Sequence, residues 1–427
     1  MIVPSIDLMD GSTVQLVEGR EKRLDAGDPR PIADRFGLVG EVAVIDLDAA
    51  RGRGSNEGIV LDLVSRVPCR VGGGIRDVKT AMRWLDAGAH KVILGTAARP
   101  DVLRALPRAR VIAALDARDG EVVTEGWTRR TGTSVEERIE ALREFVGGFL
   151  ITFVEREGRM GGLPTDLIDR LVRLAAPARV TVAGGTRSPE DIRIADQRGA
   201  DVQVGMALYT GAFDLAEGLC APLRSDRPDG LWPTIISDPS GRALGLAYSS
   251  AESVRLALAE RRGVYFSRSR GGIWRKGESS GSTQELLRIT VDCDRDAIRF
   301  TVRQAGGGFC HLGSETCFGA LTGIARLDRS IAERVLDAPT GSYTARLLCD
   351  PVLLEGKLVE EACELAAAST RTHAAEEAAD LIYFAMVAAR ARGASLEDIE
   401  RRLEERSLRV VRRPGDAKPA RQDGGLR

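Results

Sequence analysis

The sequence lacks the segments that would carry a chain into or across a membrane. It contains no run of about 18 apolar residues, which excludes an obvious membrane-spanning helix. No basic and then apolar leader precedes the strand-like stretch 2–6, which argues against a secretory signal. We therefore expect a soluble, cytoplasmic protein.

An excess of charge of one sign is also missing. Lys plus Arg number 61 and Asp plus Glu number 62, so no global field draws the protein to nucleic acid or to an anionic membrane. We expect small-molecule partners, with no nucleic acid and no membrane. At 427 residues the chain exceeds what one core usually supports, so two or three domains are expected.

The seven cysteines are an odd number, and three of them lie between Cys293 and Cys317. This crowding is more typical of metal binding in a reducing compartment than of disulfides. The four scattered cysteines are predicted to be ordinary buried thiols. They are Cys69, Cys220, Cys349 and Cys363.

An internal repeat organises the first half of the chain. Short β-branched runs alternate with helical stretches up to about residue 220, a pattern typical of a parallel sheet. Three motifs return about 110 residues later, which predicts two four-strand halves that close into a (β/α)₈ barrel. A doubly wound sheet is the competing fold, but it does not require a copied half. The copies are 6–11 and 115–120, 71–76 and 182–187, and 94–96 and 204–206.

Asp7 and Asp116 occupy equivalent positions of this repeat, at the ends of strands one and five. Working groups of such barrels sit at the carboxyl ends of the strands. A carboxylate pair placed there can have one member donate a proton while the other removes one. A lone aspartate at a strand end is commonly a loop cap, but the equivalence in the repeat favours function.

Glycine-rich turns follow strands three, four, seven and eight. They expose backbone N–H groups near helix N-termini, where phosphate binds well, and two sites suit a substrate with a phosphate at each end. The alternative is that the glycines only permit tight turns. The predicted phosphate-site residues are Gly73, Gly74, Gly95, Thr96, Gly184, Gly185 and Gly205.

Residues 1–222 resemble the phosphoribosylformimino-aminoimidazole-carboxamide ribotide isomerase of histidine biosynthesis. The resemblance implies an Amadori-type aldose-to-ketose rearrangement of a bisphosphate, with Asp7 and Asp116 as the acid/base pair, Thr152 assisting and Trp127 binding substrate. The sister family, a glutamine-dependent cyclase, fits less well because Gly126-Trp127 is an isomerase feature. The matching motifs are 4–8, 44–50, 72–76, 126–127 and 205–209.

One segment departs from the isomerase pattern. Residues 157–159 read Glu-Gly-Arg where the pattern has Asp-Gly-Thr. Two alternatives therefore stay open: the barrel is a non-catalytic binding module, or it also accepts phosphoribosylanthranilate.

After a linker at 223–230, a small α+β domain is predicted, with strands near 234–237, 264–267, 287–291 and 298–302. Three thiolates suit zinc with an open fourth position, and alternating carboxylates suit magnesium. A structural zinc with His311 as fourth ligand, or simple buried cysteines, are the alternatives. The candidate ligands are Cys293, Cys310 and Cys317 for zinc and Asp292, Asp294 and Asp296 for magnesium.

This domain resembles phosphoribosyl-AMP cyclohydrolase across residues 229–322, through the metal residues and the motifs 265–269, 274–278 and 280–281. The resemblance implies zinc-activated water that opens the six-membered ring of an adenine nucleotide, with His311 as a proton carrier and Trp274 and Lys276 contacting substrate. In that family two subunits build the zinc site, so the resemblance implies a homodimer.

The last part is rich in Ala, Glu and Leu at helical spacing, which predicts an all-α domain over 336–410. Acids on two successive helices would repel unless magnesium neutralised them, although a solvated helix face is the usual fate of Glu runs. The tail 411–427 is polar and predicted to be disordered. The acids are Glu360, Glu361, Glu364, Glu377 and Asp380.

This helical domain resembles phosphoribosyl-ATP pyrophosphohydrolase, through 342–344, Lys357, the acids and 376–381, with Phe384 where a His is often found. The resemblance implies magnesium-assisted attack of water that releases pyrophosphate, with Lys357 touching a phosphate. The three resemblances concern consecutive steps of one pathway. We therefore expect an enzyme with three activities that uses Zn²⁺ and Mg²⁺ and dimerises through its C-terminal domains.

Overall fold

The computed structural model describes residues 1–19, 21–124, 127 and 129–410. The first part of the chain alternates strands and helices as the sequence pattern predicts. Its strands are β1 (Ile2–Met9), β2 (Ser12–Val17), β3 (Glu21–Gly27), β4 (Val42–Asp46), β5 (Cys69–Gly72), β6 (Lys91–Leu94), β7 (Val111–Arg118), β8 (Glu121–Thr124), β9 (Arg129–Ser134), β10 (Gly148–Phe153), β11 (Arg179–Ala183) and β12 (Ala200–Val204). Its helices are α1 (Pro29–Phe36), α2 (Leu47–Arg51), α3 (Glu57–Arg66), α4 (Val78–Asp86), α5 (Pro100–Leu103), α6 (Val135–Leu142), α7 (Thr165–Ala175), α8 (Pro189–Gln197), α9 (Met206–Tyr209) and α10 (Leu215–Cys220).

Eight of these strands are parallel neighbours and close on themselves in the order β1, β4, β5, β6, β7, β10, β11, β12 and back to β1. The predicted eight-stranded parallel barrel is confirmed. The two halves also share an inserted antiparallel hairpin, β2–β3 after β1 and β8–β9 after β7. The structural repeat therefore extends beyond the motifs that reveal it in the sequence.

Two apolar layers hold the barrel together. A small interior layer contains Ile93, Ile112, Leu150 and Ala183, which point into the barrel. A larger layer lies between the strands and the surrounding helices, where the alternate strand residues are buried. Burial on both faces explains why the strands are continuous apolar runs.

The middle region forms a six-stranded mixed sheet. Its strand order is β16, β15, β14, β13, β18, β17, and β13 and β18 are the parallel pair. It packs against the barrel, with α11 on α10 and β17 on the segment Gly37–Val39. The elements are β13 (Trp232–Ser237), β14 (Ala243–Ser249), α11 (Ala251–Glu260), β15 (Val264–Ser267), β16 (Gly272–Arg275), β17 (Gln284–Val291) and β18 (Ile298–Gln304).

The C-terminal region is helical, as predicted. Its core contains Ile331, Leu347, Leu354, Met386 and Phe384, so the side chain that departs from the family pattern fills apolar space. The helices are α12 (Gly323–Leu336), α13 (Tyr343–Cys349), α14 (Pro351–Ala367), α15 (Arg371–Arg390) and α16 (Leu396–Ser407).

One expectation about the cysteines is corrected, and two others concern residues outside the described part of the chain. Cys69 is buried, but Cys349 and Cys363 are exposed, because they lie on helix surfaces of a region with a small core, so the expectation of buried thiols is wrong for them. The predicted disordered tail 411–427 and Gly126 lie outside the described residues. Within the residues that the structure covers, no helix is long and apolar enough to cross a membrane.

Candidate active sites

The mouth of the barrel encloses a cavity of about 1130 Å³ at the carboxyl ends of the parallel strands. Asp7 near the end of β1, Asp116 near the end of β7 and Thr152 near the end of β10 all line it. Thr152 lies directly opposite Asp116 in the strand register, and it and Trp127 hydrogen-bond to that carboxyl group. The structure therefore brings together the acid/base candidates that the repeat predicts.

A third carboxyl group, that of Glu157, joins this pair. Burial raises the pKa of Asp7 to about 7. Burial also raises the pKa of Asp116, although hydrogen bonds from Trp127 and Thr152 oppose the rise. Burial, and then the negative charges of Asp7 and Asp116, raise the pKa of Glu157 to about 8. Close to neutral pH the mouth therefore holds protonated and ionised carboxyl groups together, which general acid and base catalysis requires.

The sequence identifies Glu157 only as a departure from a pattern, whereas the structure places it in the cavity. The hairpin β2–β3 holds its backbone, because Glu18 N donates to Glu157 O at 3.2 Å. Arg159, the other departure, forms an ion pair with Glu18 and does not line the cavity. The Arg159 guanidinium therefore lies at the rim of the cavity. Of the two residues that depart from the isomerase pattern, only Glu157 faces the candidate substrate site.

The glycine turns of the two halves are built alike. A Cβ at Gly73, which has φ +95°, would lie 2.2 Å from Asp46 O, and a Cβ at Gly184, with φ +87°, would lie 2.5 Å from Phe153 O. Only glycine fits at either position. Every predicted phosphate-site residue lines the cavity. Four arginines that the sequence reasoning did not single out also line it, although Arg76 directly follows a glycine turn. They are Arg51, Arg53, Arg76 and Arg138.

In the middle region the Cys310 and Cys317 thiols are close enough for each to shift the pKa of the other. A hydrogen bond from the Leu312 backbone is the main cause that lowers the pKa of the Cys310 thiol. The Lys276 ammonium lies near both thiols and 5.2 Å from the Phe309 ring centroid, and burial lowers its pKa. The exposed His311 ring has Nδ1 4.0 Å from Cys310 Sγ. Trp274 also lies beside Lys276, with its ring centroid 5.9 Å from the ammonium.

Cys293 is not part of this cluster. It precedes β18, whereas Cys310 follows β18, and among the described residues the three cysteines do not come within 4.8 Å of one another. Within one chain, the described residues do not bring the three predicted zinc thiols together. Cys293 instead belongs to a loop in which carboxylate oxygens of Asp292, Asp294 and Asp296 lie within 4.8 Å of one another.

In the helical region, α14 and α15 bring the predicted acids together. Two groups, Glu360, Glu361 and Glu364, and Glu361, Glu377 and Asp380, each have oxygens within 4.8 Å of one another. Glu361, the shared member, is only 5% exposed, which an ordinary solvated helix face would not explain. Burial and then Glu364 raise the pKa of Glu377. Lys357 pairs with Glu360 at 2.9 Å and Glu361 at 2.8 Å.

A closed barrel with carboxyl groups and glycine turns at its mouth, joined to two further regions with metal-type clusters, defines a multidomain (β/α)₈-barrel protein. The chain belongs to the histidine biosynthesis protein family, whose model matches residues 1–214. Models of phosphoribosyl-AMP cyclohydrolase and phosphoribosyl-ATP pyrophosphohydrolase match residues 245–319 and 324–407. The three resemblances found in the sequence are thereby confirmed, in the same order along the chain.

Individual relatives agree with these matches. A histidine biosynthesis bifunctional protein of Schizosaccharomyces pombe is 38% identical over 310 residues, which cover 69% of this chain and 73% of that protein. An imidazole-4-carboxamide isomerase of Methanosphaerula palustris is 37% identical over 233 residues, 52% of this chain and 98% of that protein. A histidine biosynthesis trifunctional protein of Kluyveromyces lactis is 53% identical over 199 residues, 46% of this chain. The present chain spans only about a quarter (25%) of that relative's length.

Proposed function

We propose that the chain catalyses three consecutive reactions of histidine biosynthesis. The helical region, which contains α12 to α16, hydrolyses phosphoribosyl-ATP to phosphoribosyl-AMP and pyrophosphate. The middle region, 229–322, opens the adenine ring of phosphoribosyl-AMP, and the barrel, 1–222, isomerises the resulting aminoaldose ribotide to the aminoketose. A cytoplasmic location stays a prediction from the sequence.

One observation carries this proposal: the matches to three enzymes of one pathway lie in a single chain, and each covers its own cluster of reactive side chains. The product of each reaction is the substrate of the next. Chance assembly of three such regions would not give this relation.

In the barrel, the proposed isomerisation needs an acid that protonates the sugar ring oxygen as its bond to C1 breaks, and a base that removes the proton from C2. A proton returned to C1 then completes the aminoketose. Asp7 and Asp116 flank the cavity and supply these two roles, with Thr152 and Trp127 holding Asp116 in place. Because their pKa values are raised toward neutrality, one carboxyl can be protonated while another is ionised. The glycine turns bind the two substrate phosphates through backbone N–H groups.

In the middle region, the soft thiolates fit zinc and the hard oxygens of the Asp292, Asp294 and Asp296 loop fit magnesium. When bound, zinc supplies the Lewis acidity that activates water for attack on the ring. Cys310 and Cys317 would hold it with Cys293 of a second copy, since the three thiols of one chain do not come within 4.8 Å of one another in the described residues. His311 carries a proton, and Lys276 and Trp274 contact the nucleotide. This arrangement requires a homodimer.

In the helical region, the shared Glu361 and its neighbours on α14 and α15 would hold magnesium, which neutralises the phosphates of the substrate. The Lys357 ammonium lies beside these acids and is free to turn to a phosphate once a cation replaces it at Glu360 and Glu361.

The three activities can be tested separately, with each substrate supplied to the full chain. The proposal predicts turnover in all three assays. Binding of the aminoaldose ribotide without turnover would make the barrel a binding module, and turnover of phosphoribosylanthranilate would add a second substrate. The second outcome requires a further assay in which phosphoribosylanthranilate is supplied.

A further inference from the structure

The loop that carries Cys293 is anchored to the barrel by a buried ion pair. The Arg295 guanidinium donates to Asp196 of α8, with Nε 3.1 Å from Oδ2 and Nη2 3.0 Å from Oδ1. The side chains are 16% and 9% exposed, so most of the pair is removed from water. Such a bidentate contact fixes the relative orientation of the two side chains as well as the distance between them. The two residues are 99 positions apart and belong to different matched regions.

The same guanidinium also determines the shape of the loop. Arg295 Nη1 donates to Asp292 O at 2.6 Å, which bridges the backbone of the loop to the barrel carboxylate. Asp292 Oδ1 in turn accepts from the backbone N–H groups of Asp296 and Ala297 at 3.1 and 3.2 Å. On the barrel side of the linker, Arg224 N donates to Arg295 O at 2.7 Å. Cys293 and Asp294 therefore lie inside a turn that hydrogen bonds hold at both ends.

The backbone of Arg295 is unfavourable for an arginine. Its φ is +70°, in the left-handed region where a Cβ is disfavoured. Glycine would adopt this backbone conformation without strain, so the presence of arginine indicates that its side chain is needed here. The contacts to Asp196 and Asp292 offset the strain, which indicates that the side chain holds the turn in place.

We propose that Asp196 and Arg295 act as a positioning pair, through which the barrel presents Cys293 and the adjacent carboxylates for metal binding in the middle region. The pair touches neither substrate nor metal. This inference rests on the proposed zinc-dependent ring opening. The barrel then has a second role, as a support for the metal site of the middle region, besides isomerisation at the opposite end of the barrel.

The test uses the full chain with Asp196→Asn, which keeps the shape of the side chain and removes its charge. Zinc affinity is measured by competition with a chromogenic chelator, with zinc alone as the probe, and ring opening and isomerisation are assayed beside it. Residues that orient metal ligands change affinity by roughly 10–100-fold. We expect zinc binding about tenfold weaker, and isomerisation unchanged because α8 lies outside the mouth cavity.

Asp201→Asn is the matched control. Asp201 is equally buried, and it accepts from the Met1 amino group at 3.1 Å and from Arg179 at 3.0 Å, as Asp196 accepts from Met1 at 2.9 Å. In the described part of the chain it accepts no hydrogen bond from Arg295 and acts on that guanidinium only through its charge. The control should lose a comparable amount of thermal stability but keep the zinc affinity of the unmutated protein.

A double-mutant cycle completes the test. Arg295→Met should weaken zinc binding at least as much as Asp196→Asn does, because it also removes the hydrogen bond to Asp292 O. The double variant should be no weaker than Arg295→Met alone, because the Asp196 charge has no further effect on the loop once the guanidinium is gone. Equal zinc affinity in Asp196→Asn and unmutated protein would show that the ion pair only packs two regions together and would overturn the positioning role. Failure of the unmutated protein to bind zinc would overturn the proposed function itself.

Discussion

The separation of Cys293 from Cys310 and Cys317 leads to a quantitative prediction about shared sites. A zinc ion binds sulfur at about 2.3 Å, so three ligands of one ion lie within about 5 Å of one another. Among the described residues, Cys293, Cys310 and Cys317 of one chain do not come within 4.8 Å of one another. We therefore expect a second copy to complete the site. We expect a two-fold dimer in which each site takes Cys293 from one copy and the other two thiols from its partner.

Subunit exchange tests this arrangement. Cys293→Ser and Cys310→Ser variants should each lose ring opening, because every site in either homodimer lacks one thiol. In a heterodimer of the two, one site receives both substitutions and the other receives none. Equal mixing gives half heterodimers, each with one intact site of two, so we expect activity to return to about a quarter of the unmutated value.

The assay follows the absorbance change of ring opening after the two variants are unfolded together and refolded, or coexpressed with different tags. Unmixed variants treated in the same way are the control. Mixtures that stay inactive, although tagged heterodimers are isolated, would refute the shared site. Full activity in either single variant would show that its cysteine is not a ligand.

Three further predictions concern the carboxyl clusters. Asp7→Asn or Asp116→Asn should lower isomerisation at least about 100-fold while ring opening and pyrophosphate release persist; equal loss of all three, measured substrate by substrate, would indicate a fold defect. Glu157 has a raised pKa, so its contribution to barrel stability is present below about 4.5 and is lost as pH rises through about 8. The free energy of unfolding of Glu157→Gln should therefore rise relative to that of the unmutated barrel across that window, by up to about 1.4 kcal/mol per pH unit and by less where water enters the mouth. Amide hydrogen exchange at pH 5 and 8 measures this difference. The same difference between the two proteins at both pH values would contradict the prediction. Glu361→Gln should raise the magnesium concentration needed for half-maximal pyrophosphate release about tenfold, and an unchanged magnesium titration would remove Glu361 from the site.

The barrel and its aspartate pair could be predicted because the same motifs occur in both halves of the repeat. Asp7 and Asp116 occupy copied motifs, and the strand pattern alone places both at carboxyl ends of strands. The glycine turns are predictable for the same reason, since Gly73 and Gly184 meet backbone atoms at matching positions. The helical acids were predictable from spacing, because residues three or four apart share a helix face.

Contacts between segments that are far apart in the sequence could not be predicted, because no repeated motif or residue spacing indicates them. The position of the Glu157 carboxyl group depends on a loop that packs against β2, where a Cβ at Gly158 would lie 2.6 Å from Leu16 O. The docking of Arg295 on Asp196 depends on how two regions pack, and the linker sequence does not specify that. The exposure of Cys349 and Cys363 likewise follows from the small size of the helical core. In each case tertiary packing, not local pattern, decides the outcome.

The central claim, that one chain performs three consecutive reactions, is tested most directly by supplying phosphoribosyl-ATP with zinc and magnesium to the purified full chain. Products are identified by mass and absorbance, and the last isomer by whether a downstream cyclase accepts it. We expect conversion through to the aminoketose ribotide. Accumulation of the aminoaldose ribotide would contradict the isomerase assignment, and accumulation of phosphoribosyl-AMP would contradict the shared zinc site.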